Sequence, residues 1–405
     1  MSLPRLGVTG VGLICAVGSD RESSWLALCE GRCGIGELTL FGGEGYRSRM
    51  VAEVQDDPAA RLSPRERRRY SRADQFGVLA AAEALADARL LDTAIPKSSI
   101  GVFLGVGAND MLRNEIYYAE MRGIRQGRAR PSEIINYLNA ASADAVARHF
   151  GLTGPRACLN AACASSTMTI GYGADMIRAG RVKAALCGGS DALCRAALSG
   201  FNALRAVDTE PCRPFDVSRN GMNLGEGAGV LVLEELQQAR SRGAHVYAEL
   251  AGYAAYSEAY HVTAPEPEGM AVAALLSATL AASGVSPDEV DHVNAHGTGT
   301  VPNDKAEAKA IRRVFGERTA EIPVTSIKSM LGHCLGAAGG VEAAALALTI
   351  DRGVIPPTIH HTQTDPDCQV DVVANQARRT SVRCAISTSL AFGGNDAALV
   401  MRQVT

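Results

Sequence analysis

Asn160-Ala161-Ala162-Cys163-Ala164-Ser165-Ser166 is the stretch on which the fold of this chain turns. A strand-like run ends at small residues, a cysteine follows, and a helical pattern continues through Met168, Tyr172, Met176 and Ile177 to Gly180. That order places Cys163 at or near a helix N-terminus, where the dipole and the free N–H groups favour the thiolate, the form that attacks acyl carbon. Taken alone, a free cysteine among alanines is more often a small core residue.

On either side of this stretch, short apolar runs alternate with longer helical patterns, which predicts an α/β protein with buried strands. The runs at 5–11, 100–104, 158–161, 184–187, 229–233, 248–253, 290–295, 384–388 and 397–401 read as strands. The clearest helix follows Ser63-Pro64-Arg65-Glu66, with Ser63 as cap, Pro64 at the first helical position and Glu66 closing a capping box. Phe76, Leu79, Ala82, Ala86 and Leu90 mark its buried face. No low-complexity linker or internal sequence repeat is visible. The polar run 237–245 marks the end of a first half, giving an N-terminal half 1–245 and a C-terminal half 246–405.

Composition narrows the function classes. The 405 residues carry 40 basic and 43 acidic side chains, a net charge of −3, which argues against a non-specific nucleic-acid binder. Eleven scattered cysteines, an odd number with no C-x-x-C pair, fit neither a disulfide scaffold nor a zinc ribbon and point to a reduced cytoplasm. The apolar run 6–18 is broken by Gly7, Gly10 and Gly12 and reads as a buried strand entering a turn, not as a signal peptide. No stretch reaches the ~18 apolar residues of a membrane span. Gly10-Val11-Gly12 and Gly105-Val106-Gly107 lack the third glycine of a dinucleotide fingerprint, and no P-loop occurs, so no nucleotide cofactor is expected.

The second half supplies partners for Cys163. A strand runs into His296-Gly297-Thr298-Gly299-Thr300, with Asp304 and Glu307 just beyond, at the strand edge where α/β proteins place ligands. Thr325-Ser326-Ile327-Lys328-Ser329-Met330-Leu331-Gly332-His333 offers a lysine and a histidine five residues apart. Ser387-Thr388-Ser389-Leu390-Ala391-Phe392-Gly393-Gly394-Asn395 opens a strand into a glycine turn headed by an aromatic. Each segment alone has an ordinary structural reading; the four together in this order do not.

In that combination the chain resembles the β-ketoacyl-acyl carrier protein synthases of the thiolase superfamily, in the Cys-His-His class of synthases I and II and polyketide ketosynthases. Pro211-Cys212-Arg213-Pro214-Phe215-Asp216 and Leu224-Gly225-Glu226-Gly227-Ala228-Gly229 extend the likeness over nearly the whole length. The resemblance implies a five-layer α-β-α-β-α fold of two similar halves and a decarboxylative Claisen condensation between an acyl thioester and malonyl-acyl carrier protein. It implies Cys163 as nucleophile, His296 and His333 as donors to the malonyl thioester oxygen, Lys328 as electrostatic support, and the N–H groups of Cys163 and Phe392 as oxyanion hole, with Phe392 also a gate. No metal or bound cofactor is expected, since phosphopantetheine arrives on the carrier. Asp304 and Glu307 match acidic positions near such sites, and a helix N-terminal role serves them equally well.

An acidic carrier requires a basic surface. Arg65, Arg67, Arg68, Arg69 and Arg72 crowd the first turns of the capped helix, where the dipole disfavours cations. Arg65, Arg68, Arg69 and Arg205 match the family's carrier-docking positions. Ala108 stands where a bulky residue often floors the acyl pocket, and the loop from Arg205 to Arg213 is short, so longer, stiffer or unsaturated acyl chains are expected. The resemblance further implies a dimer, homomeric or with a ketosynthase-like partner, and leaves as alternative a non-catalytic chain-length-factor-like subunit, which the retained nucleophile opposes. The length leaves room for one condensing unit without reductase, dehydratase or carrier domains.

Overall fold

Ten strands carry the architecture in a computed structural model that describes residues 3–109, 111–131, 134 and 138–404. They are β1 (Leu6–Ile14), β2 (Ile100–Gly105), β3 (Arg156–Leu159), β4 (Ala184–Asp191), β5 (Gly227–Glu235), β6 (Ala248–Ser257), β7 (His292–Asn294), β8 (Pro323–Thr325), β9 (Cys384–Ser389) and β10 (Asn395–Arg402). The first half runs β3-β2-β4-β5-β1 across the sheet and the second β8-β7-β9-β10-β6, with the edge strand Asp371–Val372 beyond β8. Counted within each half, both orders are 3-2-4-5-1. The pairing senses repeat as well: β2 is parallel to β3 and β4, β5 antiparallel to β4 and β1, and the second half does the same. The repeat absent from the sequence is therefore present in the topology. Antiparallel pairing of Leu6 with Leu250 and Val8 with Ala248 carries the ladder from one half to the other.

Alternation of side chains sorts the core into layers, because successive strand residues face opposite sides. Ala184, Leu186, Val230 and Val232 face the outer helices α1 (Arg72–Asp87) and α2 (Ala141–Phe150). Ala185, Cys187, Leu231 and Leu233 face inward onto α3 (Ser165–Arg178) and α6 (Ala338–Arg352), as do Leu399 and Met401 from β10. Ala398 and Val400 turn away from them to α4 (Met270–Ser283) and α5 (Val301–Phe315). The result is the five-layer α-β-α-β-α arrangement. The middle layer is tight: a Cβ on Gly171 of α3 would stand 2.2 Å from the Tyr253 ring, and one on Gly340 of α6 would stand 2.5 Å from the Gly229 carbonyl oxygen.

Several local readings change. The capped helix is two: Pro64–Arg69, capped by Ser63 and Glu66, and α1, capped by Ser71 and Asp74. Tyr70 between them is extended and buries its ring, which ends the first helix. Leu90 lies past α1, because Arg89 takes a left-handed conformation with φ of 48°. The strand predicted at 158–161 is shifted to Arg156–Leu159, that at 290–295 contracts to β7, and β8 lies outside the predicted strands because Pro323–Thr325 is too short for a pattern. All eleven cysteines are free, and no helix among the described residues is long and apolar enough to cross a membrane.

Candidate active site

Cys163 lies between β3 and α3. Ala162 before it has a left-handed φ of 47°, and Ser165 accepts the Ala161 N–H at 2.8 Å while its hydroxyl donates to the Ala162 carbonyl at 2.6 Å. This turn tips the cysteine into the interior. Burial pushes its thiol up to about 12, against the opposing pull of the Lys328 charge and the N–H groups of Phe392 and Cys163. The expected preference for thiolate at the helix start is thus outweighed, and the resting sulfur is a thiol.

His333 Nε2 lies 3.0 Å from Cys163 Sγ. Its Nδ1 accepts the Leu335 N–H at 3.1 Å, so in the neutral ring the proton sits on Nε2, facing the sulfur. His296 is arranged alike by different means: Lys328 Nζ lies 3.2 Å from Nδ1, which leaves the proton on Nε2. The two rings meet edge to face at 5.3 Å. Burial and the Lys328 charge hold both imidazoles well below the ordinary histidine range, so both are neutral donors. One donor atom each from Cys163, His296 and His333 lies within 4.8 Å of the others, a set that could hold a metal ion. The protons on both Nε2 atoms occupy the lone pairs a metal would need.

Lys328 uses all three of its N–H bonds, on His296 Nδ1, on the His296 carbonyl at 2.7 Å and on Glu342. It orients His296 and has no proton left to offer a substrate. Glu342, buried in α6, is raised to about 7 by desolvation with Lys328 pulling the other way. Glu307 accepts the N–H groups of His296 at 2.7 Å and Gly297 at 2.8 Å and the Thr388 hydroxyl at 2.6 Å. Asp304 accepts the Phe215 N–H at 2.9 Å and pairs with Arg219. Both carboxylates hold backbone around His296, and among the described residues neither accepts a hydrogen bond from Cys163, His333 or the His296 ring.

Phe392 closes the other side. Gly393 and Gly394 follow with φ of 81° and 68°, a turn that L side chains rarely adopt, and it brings the Phe392 N–H to the sulfur. The Phe392 ring stacks on Phe201 at 5.4 Å and 27°. A cavity of about 410 Å³ is lined by Cys163, His296, His333 and Phe392 together with the exposed Arg205 and Asn220, so it reaches from the surface to the sulfur. Ala108 does not line it; it packs against the apolar cluster of Leu193, Leu198 and Leu335 that also receives Phe201.

The five arginines divide. Arg72 pairs with buried Glu226, and Arg67 caps the Leu62 and Ala60 carbonyls, so these two are structural. Arg65, Arg68 and Arg69 are exposed on the helix Pro64–Arg69. Arg205 stands at the cavity mouth with φ of 54°. Sequence reasoning missed Glu342, although a lone carboxylate inside the apolar run 338–350 was a signal. It also missed Asp191, whose Oδ2 gathers the N–H groups of Gly107, Ala108 and Gly336 at 2.7, 3.2 and 2.8 Å.

Two family models match the chain: the N-terminal domain of β-ketoacyl synthases over residues 4–239 and the C-terminal domain over 247–362. The 3-oxoacyl-[acyl-carrier-protein] synthase 2 of Staphylococcus aureus (strain COL) is 36% identical over 98% of both chains. A chain of the solved ishigamide ketosynthase/chain length factor is 36% identical with a TM-score of 0.94, each chain covered in full. A chain from a type II polyketide acyl-carrier protein in complex with its hexaketide-bound ketosynthase is 31% identical with a TM-score of 0.92, again with full coverage of both.

Proposed function

The chain belongs to the β-ketoacyl synthase family, and on that footing we propose that it is a condensing acyltransferase, a β-ketoacyl-acyl carrier protein synthase of fatty acid, polyketide or polyene assembly. The observation that carries the reading is the meeting of Cys163 with two neutral Nε2–H donors at the end of a surface cavity.

In the first stage Cys163 Sγ attacks the carbonyl of an acyl thioester delivered on phosphopantetheine. The oxyanion takes the N–H groups of Cys163 and Phe392, donors each worth roughly 2.7–4 kcal/mol in such sites. The carbon–sulfur bond to the carrier breaks, and the proton lost by Cys163 balances the one gained by the departing carrier thiol. In the second stage the carbonyl oxygen of the malonyl thioester accepts Nε2–H bonds from His296 and His333. As the carboxylate leaves as carbon dioxide, the electron pair of the broken bond passes into an enolate held by those donors. Its carbon attacks the acyl-Cys163 carbonyl, the tetrahedral intermediate expels the Cys163 thiolate, and one proton from solvent restores the thiol. Lys328 and Glu342 keep the His296 tautomer throughout.

The chemistry needs no metal and no resident cofactor in this reading. The halves 1–245 and 246–405 contribute unequally, the first the sulfur and the second both histidines. Free thiols throughout support a cytoplasmic setting. Arg65, Arg68, Arg69 and Arg205 serve as the carrier-docking surface, and the enzyme works as a dimer, with itself or with a ketosynthase-like partner as the likeness to the ketosynthase/chain length factor suggests. A non-catalytic partner role is the second reading, and the assembled thiol and donors speak against it.

Mass spectrometry after incubation with an acyl-carrier thioester tests the proposal. A covalent acyl adduct on Cys163, absent in Cys163→Ala, is expected; no adduct with any chain length moves the assignment to the non-catalytic partner.

A further inference from the structure

Beside the cavity mouth lies a second concavity, lined by Arg47, Asn202, Ala203, Arg205 and Asn220. Arg205 and Asn220 line both, so the two hollows adjoin. The lining carries two guanidinium groups and no carboxylate, and among the described residues neither arginine has an ion-pair partner. The cleft is also built rather than incidental. Buried Asn202 accepts the Ser48 N–H at 2.8 Å and donates to the Ser48 carbonyl at 3.2 Å, which pins the residue next to Arg47 to the helix Arg195–Ala203. Arg205 follows that helix in a left-handed conformation, and its carbonyl takes an N–H from Arg47 at 3.4 Å.

Two guanidinium-bearing side chains without ion-pair partners on the wall of one cleft suit a phosphate oxygen cluster, which accepts forked N–H bonds from arginine better than any neutral group does. The reading of the cavity as the path of a thioester-bearing arm supplies such an ion, since phosphopantetheine is joined to its carrier by a phosphodiester. When the thioester reaches Cys163 the phosphodiester stays behind at the mouth. We propose that Arg47 and Arg205 form a binding cleft for the phosphodiester of the carrier's phosphopantetheine arm. The inference rests on the condensing-enzyme reading and assigns Arg47, which the sequence did not single out, a role in substrate recognition.

The test compares Cys163 acylation by one acyl group carried on pantetheine, on phosphopantetheine and on the carrier protein, read by mass spectrometry. The native enzyme is expected to favour the phosphopantetheine thioester over the pantetheine thioester by about tenfold, the order of one charge-assisted contact. Arg47→Ala is expected to cut that preference at least threefold, and Arg47→Lys to restore part of it. No preference in the native enzyme, or a preference that Arg47→Ala leaves intact, overturns the proposal. A loss seen only with the intact carrier also overturns it, because the arginine then reads an acidic side chain of the protein. Absence of acylation from all three donors is a different result, the failure of the condensing-enzyme reading itself.

Discussion

Lys328 Nζ bridges Nδ1 and the backbone carbonyl of His296, at 3.2 and 2.7 Å, and thereby decides which nitrogen of that ring faces the cavity. The lysine acts through the histidine, and its charge is balanced inside the protein by Glu342. Lys328→Met leaves that carboxylate buried and unpaired, and such a loss costs about 3–5 kcal/mol of stability. The double variant Lys328→Met/Glu342→Leu is expected to regain most of the melting temperature while carbon dioxide release from malonyl carrier stays depressed. Recovery of both together would reduce Lys328 to a structural ion pair.

Removing either Nε2–H donor separates the two stages. His296→Ala and His333→Ala are each expected to lose carbon dioxide release by roughly 10²–10³-fold, the scale of one preorganised donor to a developing oxyanion. Acylation of Cys163 should survive in both, since the proposed mechanism gives its oxyanion to backbone N–H groups. Labelled malonyl carrier and intact-protein mass measure the two stages on the same samples.

Asp396 gives the fold a pH dependence of definite sign. Burial, with the Glu258 carboxyl beside it, pushes its acid up to about 8, although the Ala391 N–H at 2.9 Å works the other way. The folded state thus keeps a proton that the unfolded chain releases near pH 4, and this contribution is full below that point and lost as pH rises through 8. Asp396→Asn preserves the acceptor for Ala391 without the charge. Its stability gain over the native chain should grow between pH 5 and 8 by no more than ~1.4 kcal/mol per unit and level off above. A gain that is flat in thermal melts across this range would show that the carboxyl ionises as freely in the fold as outside it.

Ala108 tests the acyl chain. It packs against the cluster that receives Phe201, the ring on which Phe392 stacks, so added bulk there presses towards the path of the chain. Ala108→Ile is expected to shorten the longest acyl group that loads onto Cys163, scored with carriers of graded chain length. A sharp preference for short saturated chains, unchanged in the variant, removes the long-chain reading.

What was legible follows from what leaves a local mark. Cys163, His296 and Phe392 each sit where a strand opens into a turn, while Lys328 begins and His333 follows the short helix Lys328–Leu331 beyond β8, and such boundaries show as glycines and small residues. The structure gathers Cys163, His296, His333 and Phe392 around one cavity, with Lys328 behind His296. Glu342 left little trace, since its meaning comes from a lysine brought to it by the fold. Tyr70 broke a helix that local pattern carried straight through, because its ring is drawn into the core. The division of five arginines into structural and exposed sets likewise depended on distant partners such as Glu226.

Cys163 follows the third strand of its half and precedes α3; His333 follows the third strand of the other half and precedes α6. The sulfur and the imidazole that meet at 3.0 Å are therefore counterparts, the same corner of one pattern visited twice. A symmetric scaffold sets two like loops face to face, and the chemistry exists only because they are furnished differently. Either half by itself holds a nucleophile without a donor or donors without a nucleophile. Activity from separately expressed halves is accordingly all or none, appearing on reassembly and never in proportion to one half alone.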